Sequence, residues 1–183
     1  MNFHTTELEG VLLIEPEVYS DLRGYFLETY NQKTFAKAGI TERFVQDNES
    51  HSRKGVLRGM HFQLENAQGK LIRVLHGEIF DVAVDIRPAS NSFGRWVGVR
   101  LSGAEGKMIW IPKGFAHGFY TLSETAGVAY KVTSFYDPGM ERTLLWNDKE
   151  AGVRWPLEGE PILSEKDKAG LSLKELNQIS HQI

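Results

Sequence analysis

Two glycine-bounded segments carry the side chains best suited to chemistry. Residues 55–63 (GVLRGMHFQ) contain Arg58 and His61, and residues 106–119 (GKMIWIPKGFAHGF) contain His117. An imidazole, with an ordinary pKa of ~6.5, can accept or return a proton near neutrality. A guanidinium suits phosphate, to which it offers charge-assisted, bidentate hydrogen bonds. Other chemistries are missing. The 183 residues include no cysteine, which removes disulfides, thiolate nucleophiles, iron–sulfur clusters and Cys-type zinc sites together. Residues 103–107 (GAEGK) end in Gly-Lys, but the spacing is wrong for a phosphate loop and Met108 replaces its Ser/Thr. Neither Gly-x-Gly-x-x-Gly nor Gly-x-Ser-x-Gly occurs.

The elements that must position these side chains read as strands. Eighteen glycines and twenty aromatics, spread evenly, suggest many short strands joined by tight turns. The clearest covers residues 78–86, where Phe80, Val82, Val84 and Ile86 share one face and Asp81 and Asp85 the other. Further strands are expected over 10–14, 24–30, 56–63, 70–76, 95–102, 107–111, 115–121 and 127–136. Turn residues separate most of them, such as Asp137-Pro138-Gly139. Helical signals are few: residues 31–38 closed by Gly39, and a capping-box pattern at Ser172-Leu173-Lys174-Glu175. Strands every 8–12 residues with little helix imply an all-β jelly-roll sandwich or barrel with short peripheral helices, one domain over residues 1–183.

Composition narrows the function classes. The chain is 41% hydrophobic and 25% charged with a formal charge of -3, an ordinary globular balance without the basic surplus of a nucleic-acid binder. No apolar run approaches the ~18 residues of a membrane span. The first seven residues, MNFHTTE, lack the basic and apolar parts of a signal peptide, so a cytoplasmic location is expected.

The two glycine-bounded segments resemble the cupin motifs. The second matches Gly-x5-Pro-x-Gly-x2-His residue for residue; the first follows Gly-x5-His-x-His, with Gln63 in place of the second histidine. Lys70, followed by Gly77, stands where a cupin has its glutamate. Metal-binding cupins use those His and Glu positions as ligands, and a lysine there repels a cation. A lysine inside a barrel is costly unless something negative pairs with it, and a developing oxyanion on a substrate would be such a partner. Read alone, Lys70 is a strand-end lysine that snorkels to water.

Longer matches decide between these readings. Residues 23–28 (RGYFLE), 44–50 (FVQDNES), 55–63, 70–74 (KLIRV), 111–119 (IPKGFAHGF), 130–133 (YKVT) and 163–167 (LSEKD) together resemble the dTDP-4-dehydrorhamnose 3,5-epimerase family over essentially the whole chain. The resemblance implies a cupin-like jelly roll and a dTDP-linked 4-keto-6-deoxyhexose substrate. It also implies a homodimer with exchanged N-terminal strands, and neither metal nor other cofactor. Hydrogens at C3 and C5 of such a sugar are acidic because their removal yields an enolate. Epimerisation needs a base, an acid on the opposite face and positive charge near the ketone oxygen.

The family's pattern places His61 as the base, Asp167 as its orienting partner, Lys70 at the enolate oxygen and Tyr130 as the opposing acid. Substrate contacts fall on Arg23, Glu28, Gln46, Asn48, Arg58, Lys70, His117, Glu141 and Lys168, with Phe26 arriving from a neighbouring subunit. A charge pair at ~4 Å is worth about 4 kcal/mol at an effective dielectric of 20, or roughly three decades in rate at most. The bland reading of Tyr130 is packing, since Val128, Tyr130 and Val132 share a strand face. Arg58 and His61 have opposite parity on a regular strand, so both can face one site only if Gly59 hosts a bulge. Most of the four tryptophans, Trp96, Trp110, Trp146 and Trp155, are expected in the core or at a subunit contact. Competing functions are a single-carbon epimerase, a metal-dependent cupin and a non-catalytic sugar-binding cupin; the last needs no opposed acid and base.

Overall fold

The computed structural model describes residues 1–180. In chain order the elements are β1 (Asn2–Thr5), β2 (Leu12–Glu15), β3 (Val18–Asp21), β4 (Gly24–Leu27), α1 (Gln32–Lys37), β5 (Gln46–Arg53), β6 (Leu57–Gln63), β7 (Lys70–His76), β8 (Glu78–Asp85), β9 (Trp96–Ser102), β10 (Met108–Ile111), β11 (Phe115–Thr121), β12 (Thr125–Val132), β13 (Glu141–Thr143), α2 (Glu165–Lys168) and α3 (Leu173–Ser180). Two antiparallel sheets result, one ordered β1-β2-β10-β7-β12-β5 and the other β13-β6-β11-β8-β9. They share no strand ladder, so the expected jelly roll is a sandwich rather than a closed barrel.

The alternation of each strand explains the layers. Ile72, Val74, Ile109 and Val128 of the first sheet meet Ile79, Ala83, Leu101, Phe115 and Phe119 of the second in the central core. Val82, Val84 and Ile86 turn to the opposite side of β8, where Leu173 and Leu176 of α3 cover them. Asp81 and Asp85 therefore do not form a solvated face: both carboxylates are fully buried and paired. The outer face of the first sheet carries a third cluster, in which Phe35 of α1 packs with Ile14, Leu71, Met108 and Trp110.

Local signals fix the short helices. Asn31 accepts hydrogen bonds from the Lys33 and Thr34 amides at the start of α1, and Gly39, at φ +88°, follows its end. The Ser172–Glu175 capping box forms in both directions ahead of α3. The sequence reading missed β1, β3, β5, β13 and α2, whose residues lack apolar periodicity. Expected strand 127–136 covers 125–132 instead, and the residues after Val132 leave the sheet as a strap. Trp110 is buried, Trp96 and Trp155 pack against the second cluster, and no tryptophan lines the candidate site. β1 pairs with β2 of its own chain, whereas β3 and β4 form a separate ribbon exposing Val18, Tyr19, Leu22, Tyr25 and Phe26.

Candidate active site

At one end of the sandwich the sheets part around a cleft of about 350 Å³. One wall is polar because β5 alternates polar side chains on both faces, sending Gln46, Asn48 and Ser50 inward. Tyr130 on β12 and Lys70 on β7 continue that wall, while Arg58 and His61 on β6 and His117 on β11 face them from the other sheet. Opposite parity does not separate Arg58 from His61. His61 pairs with His117 and Arg58 with Phe119, so β6 carries one extra residue between the two register positions. Gly59 sits there at φ +119°, and a Cβ on it would lie 2.5 Å from the Gly118 backbone. Only glycine accepts both the dihedral and the approach.

His61 and Asp167 meet although 106 residues separate them. Their Nε2 and Oδ1 atoms are 2.6 Å apart. Asp167 is held on α2, a single turn whose N-cap Ser164 accepts the Asp167 amide. Burial pushes the Asp167 carboxyl up, but the hydrogen bond and charge of His61, with Ser164 and Lys166, outweigh it and keep the group below its ordinary range. An ionised carboxylate can only accept, so Nε2 carries a proton, and in the neutral ring Nδ1 holds the lone pair.

Lys70 does not snorkel. Its side chain is buried, and Nζ donates to the His61 carbonyl at 3.2 Å. Burial lowers its pKa to about 8, against the pull of Glu141 and Asp81. The ammonium is thus mostly charged at neutral pH. Burial raises the Tyr130 phenol, which stays protonated and projects from the sheet opposite His61.

His117 makes a second dyad, with Nε2 2.9 Å from Oδ2 of the fully buried Asp81. Burial, with the charges of Lys70 and His61, lowers its pKa despite Asp81. At the mouth, Glu141 bonds Tyr136 Oη and pairs with Lys166, each at 2.8 Å. Burial pushes the Glu141 carboxyl up, and those two partners bring it below its ordinary value. Arg58 is oriented by Nε donating to Ser52 Oγ at 2.9 Å, and Gln46 donates to Asn48 at 2.7 Å. No group of three or more His, Asp or Glu side chains among the described residues is placed to hold a metal ion.

The family model described as dTDP-4-dehydrorhamnose 3,5-epimerase matches residues 5–175. The chain belongs to this epimerase family. A dTDP-4-dehydrorhamnose 3,5-epimerase of Salmonella typhimurium is 55% identical over 166 residues, 90% of this chain and 91% of that one. A dTDP-4-dehydrorhamnose 3-epimerase of Streptomyces niveus is 37% identical, over 96% of this chain and 85% of that one. Among solved structures, a dTDP-6-deoxy-D-glucose-3,5-epimerase from Legionella pneumophila, in complex with dTDP-4-keto-L-rhamnose, superposes with a TM-score of 0.93 at 50% identity, covering 96% of each chain.

Nine residues expected from the epimerase pattern therefore gather at one cleft: His61, Lys70, Tyr130, Gln46, Asn48, Arg58, His117 and Glu141 line it, and Asp167 stands behind His61. Four others do not join them within this chain. Arg23 and Phe26 are exposed on the β3–β4 ribbon, Arg23 bonded to Asp21. Glu28 accepts from Nδ2 of the Asn31 side chain, and Lys168 turns to Glu165 at 2.6 Å. Lys166, two positions earlier, is the α2 lysine that lines the cleft. The sequence reading also missed Ser50, Tyr136 and the Asp81 partner of His117. Asp81 was legible only as a polar residue inside an apolar strand.

Proposed function

We propose that this chain is a cofactor-independent isomerase that epimerises dTDP-4-dehydro-6-deoxy-D-glucose at C3 and C5 to dTDP-4-dehydro-L-rhamnose, in dTDP-rhamnose biosynthesis. The pairing of His61 with an ionised, buried Asp167, next to a buried lysine, carries this reading. Nδ1 of His61 takes the proton from the carbon beside the ketone. Asp167 holds the tautomer and stabilises the imidazolium that forms. Charge moves onto the ketone oxygen, where Lys70 stabilises the enolate. Tyr130 donates to the opposite face of the carbanion, which inverts the centre, and its proton is restored from solvent. Each carbon passes through the same cycle, and no electron leaves the substrate. Arg58 binds the pyrophosphate; Gln46 and Asn48, which both donate and accept, read hydroxyl or pyrimidine edges.

The chain works as one domain and as a homodimer in the cytoplasm. Exchange of N-terminal strands falls on the β3–β4 ribbon, which pairs with neither sheet and exposes Phe26. The ribbon brings Arg23 and Phe26 to the partner's cleft, which accounts for their distance from their own.

Incubation of the protein with dTDP-4-keto-6-deoxyglucose in heavy water tests the reaction. The expected product has L-configuration and deuterium at both C3 and C5. Label at C3 alone makes the chain a single-carbon epimerase, the activity named for the 37% identical relative. No label at either carbon refutes the epimerase reading.

A further inference from the structure

Gln63 occupies the place of a cupin's second histidine, and its amide is fully committed elsewhere. Nε2 donates to the Asn66 carbonyl at 3.0 Å and to the Phe135 carbonyl at 3.3 Å, and Oε1 accepts from the Asp137 amide at 2.9 Å. Two donors and an acceptor on one planar group match two carbonyls and an N–H on the chain. Gln63 is 6% exposed, so leaving its amide without these partners would be costly. Two of these targets, Phe135 and Asp137, lie on the strap that follows β12, while Asn66 lies on the loop before β7. Two more glutamines hold the same strap: Gln68 donates to the Ser134 carbonyl at 2.9 Å, and Gln46 accepts the Tyr136 amide at 3.0 Å. Three glutamines on β5, β6 and the loop before β7 therefore fasten a few residues that have no sheet partner of their own.

The strap ends at the cleft. Tyr136 forms part of its wall, and the phenol donates to Glu141, which in turn pairs with Lys166. A slack strap would let Tyr136 swing outward, because the residue is half exposed. We propose that Gln63 is a positioning residue for substrate binding: it fixes the strap, and through Tyr136 it sets the Glu141–Lys166 pair at the cleft mouth. This rests on the proposed function, in that the cleft must be where substrate binds. Lys70, His61 and Asp167 are anchored by contacts outside the strap, and Glu141 reaches Lys70 only through its charge, so the strap acts chiefly on binding.

Gln63→Glu tests the idea, because it keeps the acceptor for Asp137 and removes both donors. We expect KM to rise about ten-fold with kcat within about two-fold, a loss of binding common to ground and transition states. Tyr136→Ala should raise KM by itself, and Gln63→Glu should then add less than about two-fold, because both changes act through one element. Gln68→Glu, at the other end of the strap, should give a smaller KM increase in the same sense, which keeps the test open should Gln63→Glu fail to fold. An unchanged KM in Gln63→Glu and Gln68→Glu beside a raised KM in Tyr136→Ala overturns the inference alone. Multiplying effects in the double variant, or a fall in kcat at constant KM, overturns it as well. An unchanged KM in Tyr136→Ala overturns both the inference and the placement of substrate at this end of the cleft.

Discussion

Two imidazole–carboxylate pairs face each other across one position of the β6–β11 ladder, and they differ in what surrounds them. His61 is partly open to the cleft, and its carboxylate comes from a helical turn 106 residues away. His117 is buried on two adjacent strands with Asp81, and burial keeps the ring neutral. A base must exchange protons with substrate and then with water, so it needs access. A neutral, enclosed ring offers a fixed hydrogen bond instead. Under the proposed mechanism the same two residue types serve turnover in one place and binding in the other, and exposure decides which.

The sharpest way to break this contrast is to remove the charge between the pairs. Lys70→Met should lower kcat by up to roughly three decades, since the enolate loses its cation. The same change should stabilise the fold. A lysine held at about 8 instead of 10.5 costs about 3 kcal/mol while it is charged. That penalty is complete below pH 8 and fades as pH rises toward 10.5, because only the folded state has then released its proton. Equilibrium unfolding at pH 7 should show Lys70→Met more stable by roughly 1–3 kcal/mol, and NMR titration should show His117 taking up a proton at higher pH. Loss of both activity and stability would mean that Lys70 is a structural residue.

Asp167→Asn and Asp81→Asn set the two carboxylates against each other. The first should reduce kcat by roughly 10² to 10³-fold, because the imidazolium loses its anionic partner. The second should act mainly on KM, by about ten-fold or less, with the comparison read from initial rates. Equal kcat losses would erase the distinction.

Tyr130→Phe should separate the two halves of the reaction. Deuterium exchange at C3 and C5 should outlast product formation by about ten-fold or more, as seen by NMR, because proton removal survives the loss of the acid. A smaller effect concerns pH. The kcat/KM profile should fall on the alkaline side near pH 8 as Lys70 deprotonates, and Lys70→Arg should move that limb upward.

Much of this site was legible in the sequence because its residues sit in segments with fixed spacing. Lys70 and His117 lie on strands whose ends, Lys70–His76 and Phe115–Thr121, were legible to the residue. The bulge at Gly59 was legible as a need: two residues of opposite parity had to face one cleft. β5 was not, since hydrophobic periodicity marks strands by what they bury, and Gln46, Asn48 and Ser50 bury polar groups in a cleft. The same blindness hid α2, a single turn held by Ser164 and by the partner of Asp167. Lys166 and Lys168 could not be told apart without the helix phase, which turns the first to Glu141 and the second to Glu165.

Deuterium wash-in by His61→Asn and His117→Asn, followed at C3 and C5 in the same heavy-water assay, tests most directly which ring takes the proton. His61→Asn should leave both carbons unlabelled, while His117→Asn should label both at a reduced rate that recovers at high substrate concentration. Labelling by His61→Asn at the rate of the parent protein, or its disappearance only in His117→Asn, would contradict the assignment of the base.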